Sequence, residues 1–249
     1  VHYDVSDHVA TITLDSPENR NALSRTLTGE LTHSLTAAGQ DQGVRAVVLT
    51  HTGRVFCSGA DLAEAGTGSL SEGTAAMMRV LTTIIELDKP VIARITGHVR
   101  AGGMGIVGAC DVAVAAETAS FAFTEVRIGL APAIISLTTL DLMQPRGAAR
   151  YYLTGEVFDA TIAAELGLIT AATSSGMIDD LVAELTEQIR ETSPQGAAET
   201  KRLITSARRE RLAAQSGDMV ALSARLFASD QAQEGIHAFL ERRPPAWRQ

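Results

Sequence analysis

Two stretches of this chain join small residues to a change of element, and such junctions are where backbone N–H groups become available for chemistry. Val55-Phe56-Cys57-Ser58-Gly59-Ala60-Asp61-Leu62 passes from an apolar strand pattern into a helical one, and Gly103-Met104-Gly105-Ile106-Val107-Gly108 opens a second, shorter helical segment. The first N–H groups of a helix have no intrahelical acceptor and carry partial positive charge. Two such junctions facing each other can grip one oxygen anion, the arrangement of an oxyanion hole. Each junction taken singly has a plainer explanation, with Gly59 making a turn and Asp61 capping a helix.

Gly103-Met104-Gly105-Ile106-Val107-Gly108 matches the dinucleotide fingerprint G-x-G-x-x-G letter for letter. That motif needs a strand running into its first glycine, a crossover helix, and an acid at the end of the next strand. Here the strand stops near Thr96, the helix has room for about two turns before Asp111, and Glu117 arrives too early. An NAD-binding oxidoreductase is therefore the alternative from a different class, and stabilisation by NAD would reveal it. Cys57 has no neighbouring base to activate its thiol, which favours packing. No spacing of His, Cys, Asp and Glu suggests a metal site.

The elements that must hold these junctions alternate. Residues 8 to 14 alternate as a strand; from Ala22 the leucines at 23, 27, 31 and 35 mark one stripe of a helix ending before Gly43. Residues 44 to 50 form a near-continuous apolar run, as in a strand covered on both faces. The pattern continues with a loop over 53–59, a helix over 77–87, a strand over 91–95, a Gly-rich loop, a short helix and a strand over 112–115. Further strands are predicted at 121–123 and 168–170, with helices around 136–143 and 160–166. Beyond about residue 178 only charged helical segments remain, a tail that covers a neighbouring subunit or presents a solvated face. This is α/β organisation.

Composition narrows the function. The 249 residues are 45% hydrophobic and 20% charged, which is globular composition with one substantial core. A net charge of −8 excludes nucleic acid and an anionic membrane as main partners. Two cysteines fit neither a disulfide framework nor a paired-thiol metal site, and with no leader read at Val1-His2-Tyr3-Asp4 and no membrane-length apolar run, a cytoplasmic location is expected.

Five ordered segments together resemble the crotonase superfamily, the enoyl-CoA hydratase/isomerase family, over nearly the whole chain. They are Asn21-Ala22-Leu23-Ser24; Phe56 to Leu62; Lys89-Pro90-Val91-Ile92-Ala93 with Gly97 and Ala101 to Gly105, then Ala109-Cys110-Asp111; Ser120 to Leu130 around Glu125; and a tail from Phe227-Ala228-Ser229-Asp230 to Arg243-Pro244-Pro245. The resemblance implies a crotonase (ClpP-like) ββα superhelix over residues 1–190 that carries an acyl-CoA site, and a C-terminal helical oligomerisation region over 191–249. It implies a homotrimer or homohexamer. It also implies that the N–H groups of Ala60 and Gly102 hold a thioester oxygen, that Ser58, Gly59, Ala60, Asp61 and Leu62 line the coenzyme channel, and that Glu125 is the acid/base. No cofactor is implied, since coenzyme A is part of the substrate.

The chain departs from the family's hydratases at one place. Those enzymes typically carry two glutamates, and the first, three residues beyond Gly102, is here Gly105. Three readings follow from this. Glu125 alone hydrates a 2-enoyl-CoA, which is the expected activity; or it shuttles a proton as in a 3,2-enoyl-CoA isomerase; or the protein is a non-catalytic acyl-CoA binder in which Glu125 pairs with Arg127. Residues 124–127 with 131–136 look like a subgroup acting on branched enoyl-CoAs. The dienoyl isomerase variant expects an acid at Ala133. His98 falls where the family usually has a non-catalytic side chain, and the acyl pocket is expected to depend on the loop over 65–74 and the helix over 77–81.

Overall fold

The computed structural model describes residues 1–65 and 70–248, and the side chains of 65, 70 and 71 lie outside that description. Part of the 65–74 loop expected to shape the acyl pocket therefore lies outside the described residues.

A hairpin of β1 (His2–Ser6) and β2 (Val9–Leu14) leads to α1 (Arg25–Gln40), whose Ser24 side chain caps the Leu27 N–H. Leu27, Leu31 and Leu35 are buried as their spacing requires, and burial of each contributes roughly 1.5–3 kcal/mol. Next come β3 (Ala46–His51), β4 (Val55–Cys57), α2 (Leu62–Ala65) and α3 (Leu70–Glu86). A second round supplies β5 (Val91–Ile95), β6 (His98–Arg100) and α4 (Gly102–Ala109). A third supplies β7 (Val112–Ala116), β8 (Ser120–Ala122), a 3₁₀ turn at Thr124–Ile128 and α5 (Ala133–Thr139). The chain continues through α6 (Pro145–Thr154), β9 (Phe158–Asp159), α7 (Ala160–Glu165), β10 (Ala171–Thr173) and α8 (Ile178–Glu191) to α9 (Pro194–Phe227) and α10 (Asp230–Leu240).

Successive strand pairs feed two sheets. One has the order β1-β2-β3-β5-β7-β10, parallel except for the β1–β2 hairpin, and the other is β4-β6-β8-β9. β3, β5 and β7 enter the first while β4, β6 and β8 enter the second, each pair followed by helix, so the expected ββα superhelix is the architecture observed.

Several boundaries differ from the expectation. β1 is unforeseen because all five of its residues are exposed and offer no alternation. The loop over 53–59 contains β4. The strand expected at 168–170 falls at 171–173: Leu168 and Ile169 are buried in the core, and Thr170 bonds Ala113 just ahead of the ladder. The helix expected around 136–143 ends at Thr139, and Pro145 starts a separate helix, α6.

α9 is 34 residues long; Leu212, Met219 and Val220 pack on the core, and the helix also docks through cations. Lys201 Nζ reaches the Ile84 and Lys89 carbonyls, both at 2.9 Å, and Arg209 Nη2 reaches Ile85 O at 3.0 Å. Arg208 Nη1 reaches Gly108 O at 3.0 Å. These carbonyls lie at the C-terminal ends of α3 and α4 or just beyond, where unpaired acceptors and the negative end of the dipole favour cations.

Candidate active site

The two N–H-bearing junctions meet. Gly59 has φ +92°, and a Cβ placed on it would fall 2.6 Å from Ala101 Cβ and 3.2 Å from Gly102 N, so only glycine allows this approach. The first junction is held by Leu23 N–H donating to Gly59 O at 2.8 Å. Behind it the fully buried Asn21 donates to Thr52 O and Val55 O and accepts from Ser16 N–H. At the second junction Ala101 takes φ +46°, ψ −120° before the first turn of α4. A left-handed alanine is a strained backbone, of order 1–3 kcal/mol. Among the described residues neither the Ala60 nor the Gly102 N–H donates to another group of the chain.

Ala60 and Gly102 open onto a cavity of about 550 Å³, and Glu125 lies on its wall. The predicted Ser58, Asp61 and Leu62 line it too. Gly59 does not; it sits behind the wall, because its bare Cα is packed against Ala101. Asp61 also caps α2, accepting from Ala63 N–H at 3.0 Å and from Asn19 Nδ2 at 2.7 Å.

Glu125 enters from the 3₁₀ turn, closed by Gly129 at φ +77°, and its carbonyl accepts from the Gly129 and Leu130 N–H groups. The residue keeps a partial opening to the cavity, while its Oε2 is sealed from solvent and has no hydrogen-bond partner. Burial pushes the carboxyl up to about 7, against a smaller lowering by its own backbone N–H. A carboxylate deprived of water favours its neutral form. Arg127 also lines the cavity, but its Nε donates to Thr154 O, and among the described residues it forms no ion pair with Glu125, whose Oε2 has no partner. Tyr152 stands near, its hydroxyl 2.5 Å from Thr139 Oγ1 and its pKa raised chiefly by burial.

No carboxylate fits at Gly105. A Cβ there would meet Ile135 Cγ2 at 2.5 Å and Met77 Cε at 3.1 Å. The glycines of the G-x-G-x-x-G match serve packing: Gly103 abuts Cys57, Gly105 abuts Ile135 and Gly108 abuts Thr138. β5 ends at Ile95, near the expected Thr96, but a further strand not expected there, β6, runs to Arg100, close ahead of this segment; the eight-residue α4 still ends far short of a crossover helix.

Cys57 is fully buried, its thiol pushed up to about 12 by burial, and its sulfur accepts from Gly59 N–H at 3.5 Å. His98 is exposed, bonds Ser120 Oγ at 2.9 Å and does not line the cavity. Among the described residues no group of three or more His, Cys, Asp or Glu is placed to hold a metal ion, and no helix is long and apolar enough to cross a membrane. Sequence reasoning missed the cavity's far wall, where Ile135, Leu226, Phe227, Phe239 and Leu240 arrive from α5 and the C-terminal helices. No local motif signals contacts made between elements so far apart along the chain.

The family model described as "Enoyl-CoA hydratase/isomerase" matches residues 4–249. An enoyl-CoA hydratase from Mycobacterium avium superposes with a TM-score of 0.90 at 51% identity, covering 96% of this chain and 94% of that one. The (E)-benzylidenesuccinyl-CoA hydratase of Thauera aromatica is 30% identical, over 100% of this chain and 98% of its own length. The 2,3-dehydroadipyl-CoA hydratase of Escherichia coli K12 is 30% identical over 95% and 94%.

Proposed function

Because the chain belongs to the enoyl-CoA hydratase/isomerase family, we propose that it adds water reversibly to a 2-enoyl-CoA, with Ala60 and Gly102 as oxyanion donors and Glu125 as the only acid/base. The observation that carries this is the Oε2 of Glu125, unpartnered and sealed on the wall shared with two free N–H groups.

Water attacks C3 of the enoyl thioester and gives a proton to Glu125 as the C3–O bond forms. Electron density moves through C2 to the thioester oxygen, where each N–H donor lowers the barrier by about 3–4 kcal/mol. Protonation of C2 by Glu125 regenerates the carboxylate. A carboxyl pushed to about 7 populates both forms near neutrality, which suits a group that must accept and then donate. Ser58, Asp61 and Leu62 would line the path of the coenzyme, and no cofactor beyond the coenzyme A of the substrate is needed.

The closure of Gly105 by Ile135 favours a second reading, since 3,2-enoyl-CoA isomerisation also works with one carboxylate. A homotrimer or homohexamer is the proposed assembly, supported by Leu203 and Ile204, 74% and 65% exposed on α9. The two buried thiols fit a reducing compartment such as the cytoplasm.

The test follows the conjugated enoyl absorbance with crotonyl-CoA, a branched 2-enoyl-CoA and a 3-enoyl-CoA. Loss of absorbance from a 2-enoyl substrate, with the hydroxyacyl product found by mass, is the expected result. A gain from the 3-enoyl substrate alone makes the protein an isomerase, and silence in all three overturns both readings.

A further inference from the structure

α10 and the turn that carries Glu125 lie backbone against backbone. A Cβ on Gly235 would fall 2.5 Å from both the carbonyl carbon and the oxygen of Ile128, and a Cβ on Gly129 would fall 2.6 Å from the Gln231 carbonyl. Gln231 and Gly235 stand four residues apart and share one face of α10. The buried residues of that helix are Ala232, Gly235 and Ala238, all small, so nothing with freedom to adjust lies between the two elements.

The contact leads directly to the acid/base. Ile128 and Gly129 close the 3₁₀ turn, and the Gly129 and Leu130 N–H groups both donate to the backbone carbonyl of Glu125. On its outer side α10 is tied to the segment that follows it. Glu234 takes a two-pronged bond from Arg243, at 2.7 and 2.9 Å, and a third from Ala246 N–H at 2.8 Å. A displacement of α10 is therefore passed to Glu125 through three peptide units, with no side chain to absorb it.

We propose that α10 is a fixed backstop that sets the depth of Glu125 in the cavity, with Gly129 and Gly235 as positioning residues. The inference rests on the acid/base role argued above. Displacing the turn in either direction, by bulk added at the contact or by slack in α10, breaks the seal over Oε2 and admits water, so the carboxyl moves down towards its ordinary range while the oxyanion donors stay in place.

The experiment compares Gly235→Ala with the wild-type chain and with Gly217→Ala, a control whose added methyl meets nothing within 4 Å. Steady-state hydration, thermal unfolding and a carbon-13 titration of the Glu125 carboxyl are measured on each. Gly235→Ala is expected to lose roughly 10–100-fold in kcat, the scale of a misplacement of about 1 Å, with KM within about twofold. Its Glu125 midpoint should fall below that of the wild-type chain, where burial raises it. Glu234→Gln, which weakens the outer clamp and adds no bulk, should show the same two changes in milder form and serves if Gly235→Ala does not fold. A kcat loss that tracks lowered thermal stability with an unmoved midpoint overturns the proposal, as does wild-type behaviour of both variants. If the wild-type chain hydrates no enoyl-CoA, the catalytic reading fails by itself, and the carboxyl titration still decides whether α10 positions Glu125.

Discussion

Ile135 occupies the space that any side chain at Gly105 would need: a Cβ there would lie 2.5 Å from Ile135 Cγ2 and 3.0 Å from its Cβ. The glycine and the isoleucine form one complementary unit, and α4 can lie against α5 only while residue 105 has no side chain. Gly105→Ala should therefore destabilise the fold by about 1–3 kcal/mol, the range for overpacking a filled core. In an Ile135→Ala background the same substitution should cost less, because the Cγ2 that obstructs it is gone. Urea unfolding of the four members of this cycle checks it, and strict additivity would mean that the two positions do not oppose each other.

Glu125→Gln separates the chemistry from the electrostatics. It should reduce hydration by at least about 10²–10⁴-fold, the usual contribution of a general acid/base, while an acyl-CoA still binds. The same variant reports on burial. In the folded protein the Glu125 carboxyl is raised to about 7 from the ordinary 4.5, so its contribution to stability is full below about 4.5 and is lost as pH climbs through about 7. The melting temperature of the wild-type chain relative to Glu125→Gln should fall across that window. Parallel curves from pH 4 to 8 would mean that the carboxyl is hydrated.

Gly59→Ala tests the meeting of the two junctions. The added methyl meets a left-handed φ of +92° and the Ala101 Cβ at 2.6 Å, so the segments carrying Ala60 and Gly102 must separate. Strain of about 1–3 kcal/mol is expected in the fold, with a loss of roughly 10²–10³-fold in kcat, the scale of one missing oxyanion donor. Kinetics on a 2-enoyl-CoA together with urea unfolding measure both.

The parts of this site that were legible in the sequence are local. The stripe of Leu27, Leu31 and Leu35 follows from periodicity, the apolar run over 44–50 marks the strand found at Ala46–His51, and the two Gly-containing junctions follow from the change of pattern around them. β6 escaped notice because three residues between Gly97 and Ala101 carry no period, and its strand state comes from β4 and β8 on either side. The place of Ile135 against Gly105, and of Gly235 against Ile128, is fixed by tertiary contact alone. Gly105 was visible as a departure from the two-glutamate pattern, but what fills its space was not. The charge of α9, read as covering a neighbouring subunit or as a solvated face, has a use that neither reading foresaw: the heads of Lys201, Arg208 and Arg209 donate to carbonyls of other elements of the same chain.

Within that docking Lys201 is the cation buried in an ion pair. Its ammonium lies 2.7 Å from Asp111 Oδ2, with the two side chains only 2% and 6% exposed, while Asp111 Oδ2 also accepts from Val91 N–H and Oδ1 has no partner. Lys201→Met keeps the length of the side chain but leaves a buried carboxylate uncompensated and two carbonyls without a donor. A loss of about 3–5 kcal/mol is expected, as for other buried pairs broken from one side. Adding Asp111→Asn removes the stranded charge and preserves an acceptor for Val91 N–H, so the double variant should be more stable than Lys201→Met alone. Chemical unfolding of both decides the point. A double variant no better than the single one would mean that the lost bonds to the Ile84 and Lys89 carbonyls, rather than the stranded charge on Asp111, dominate the anchoring of α9.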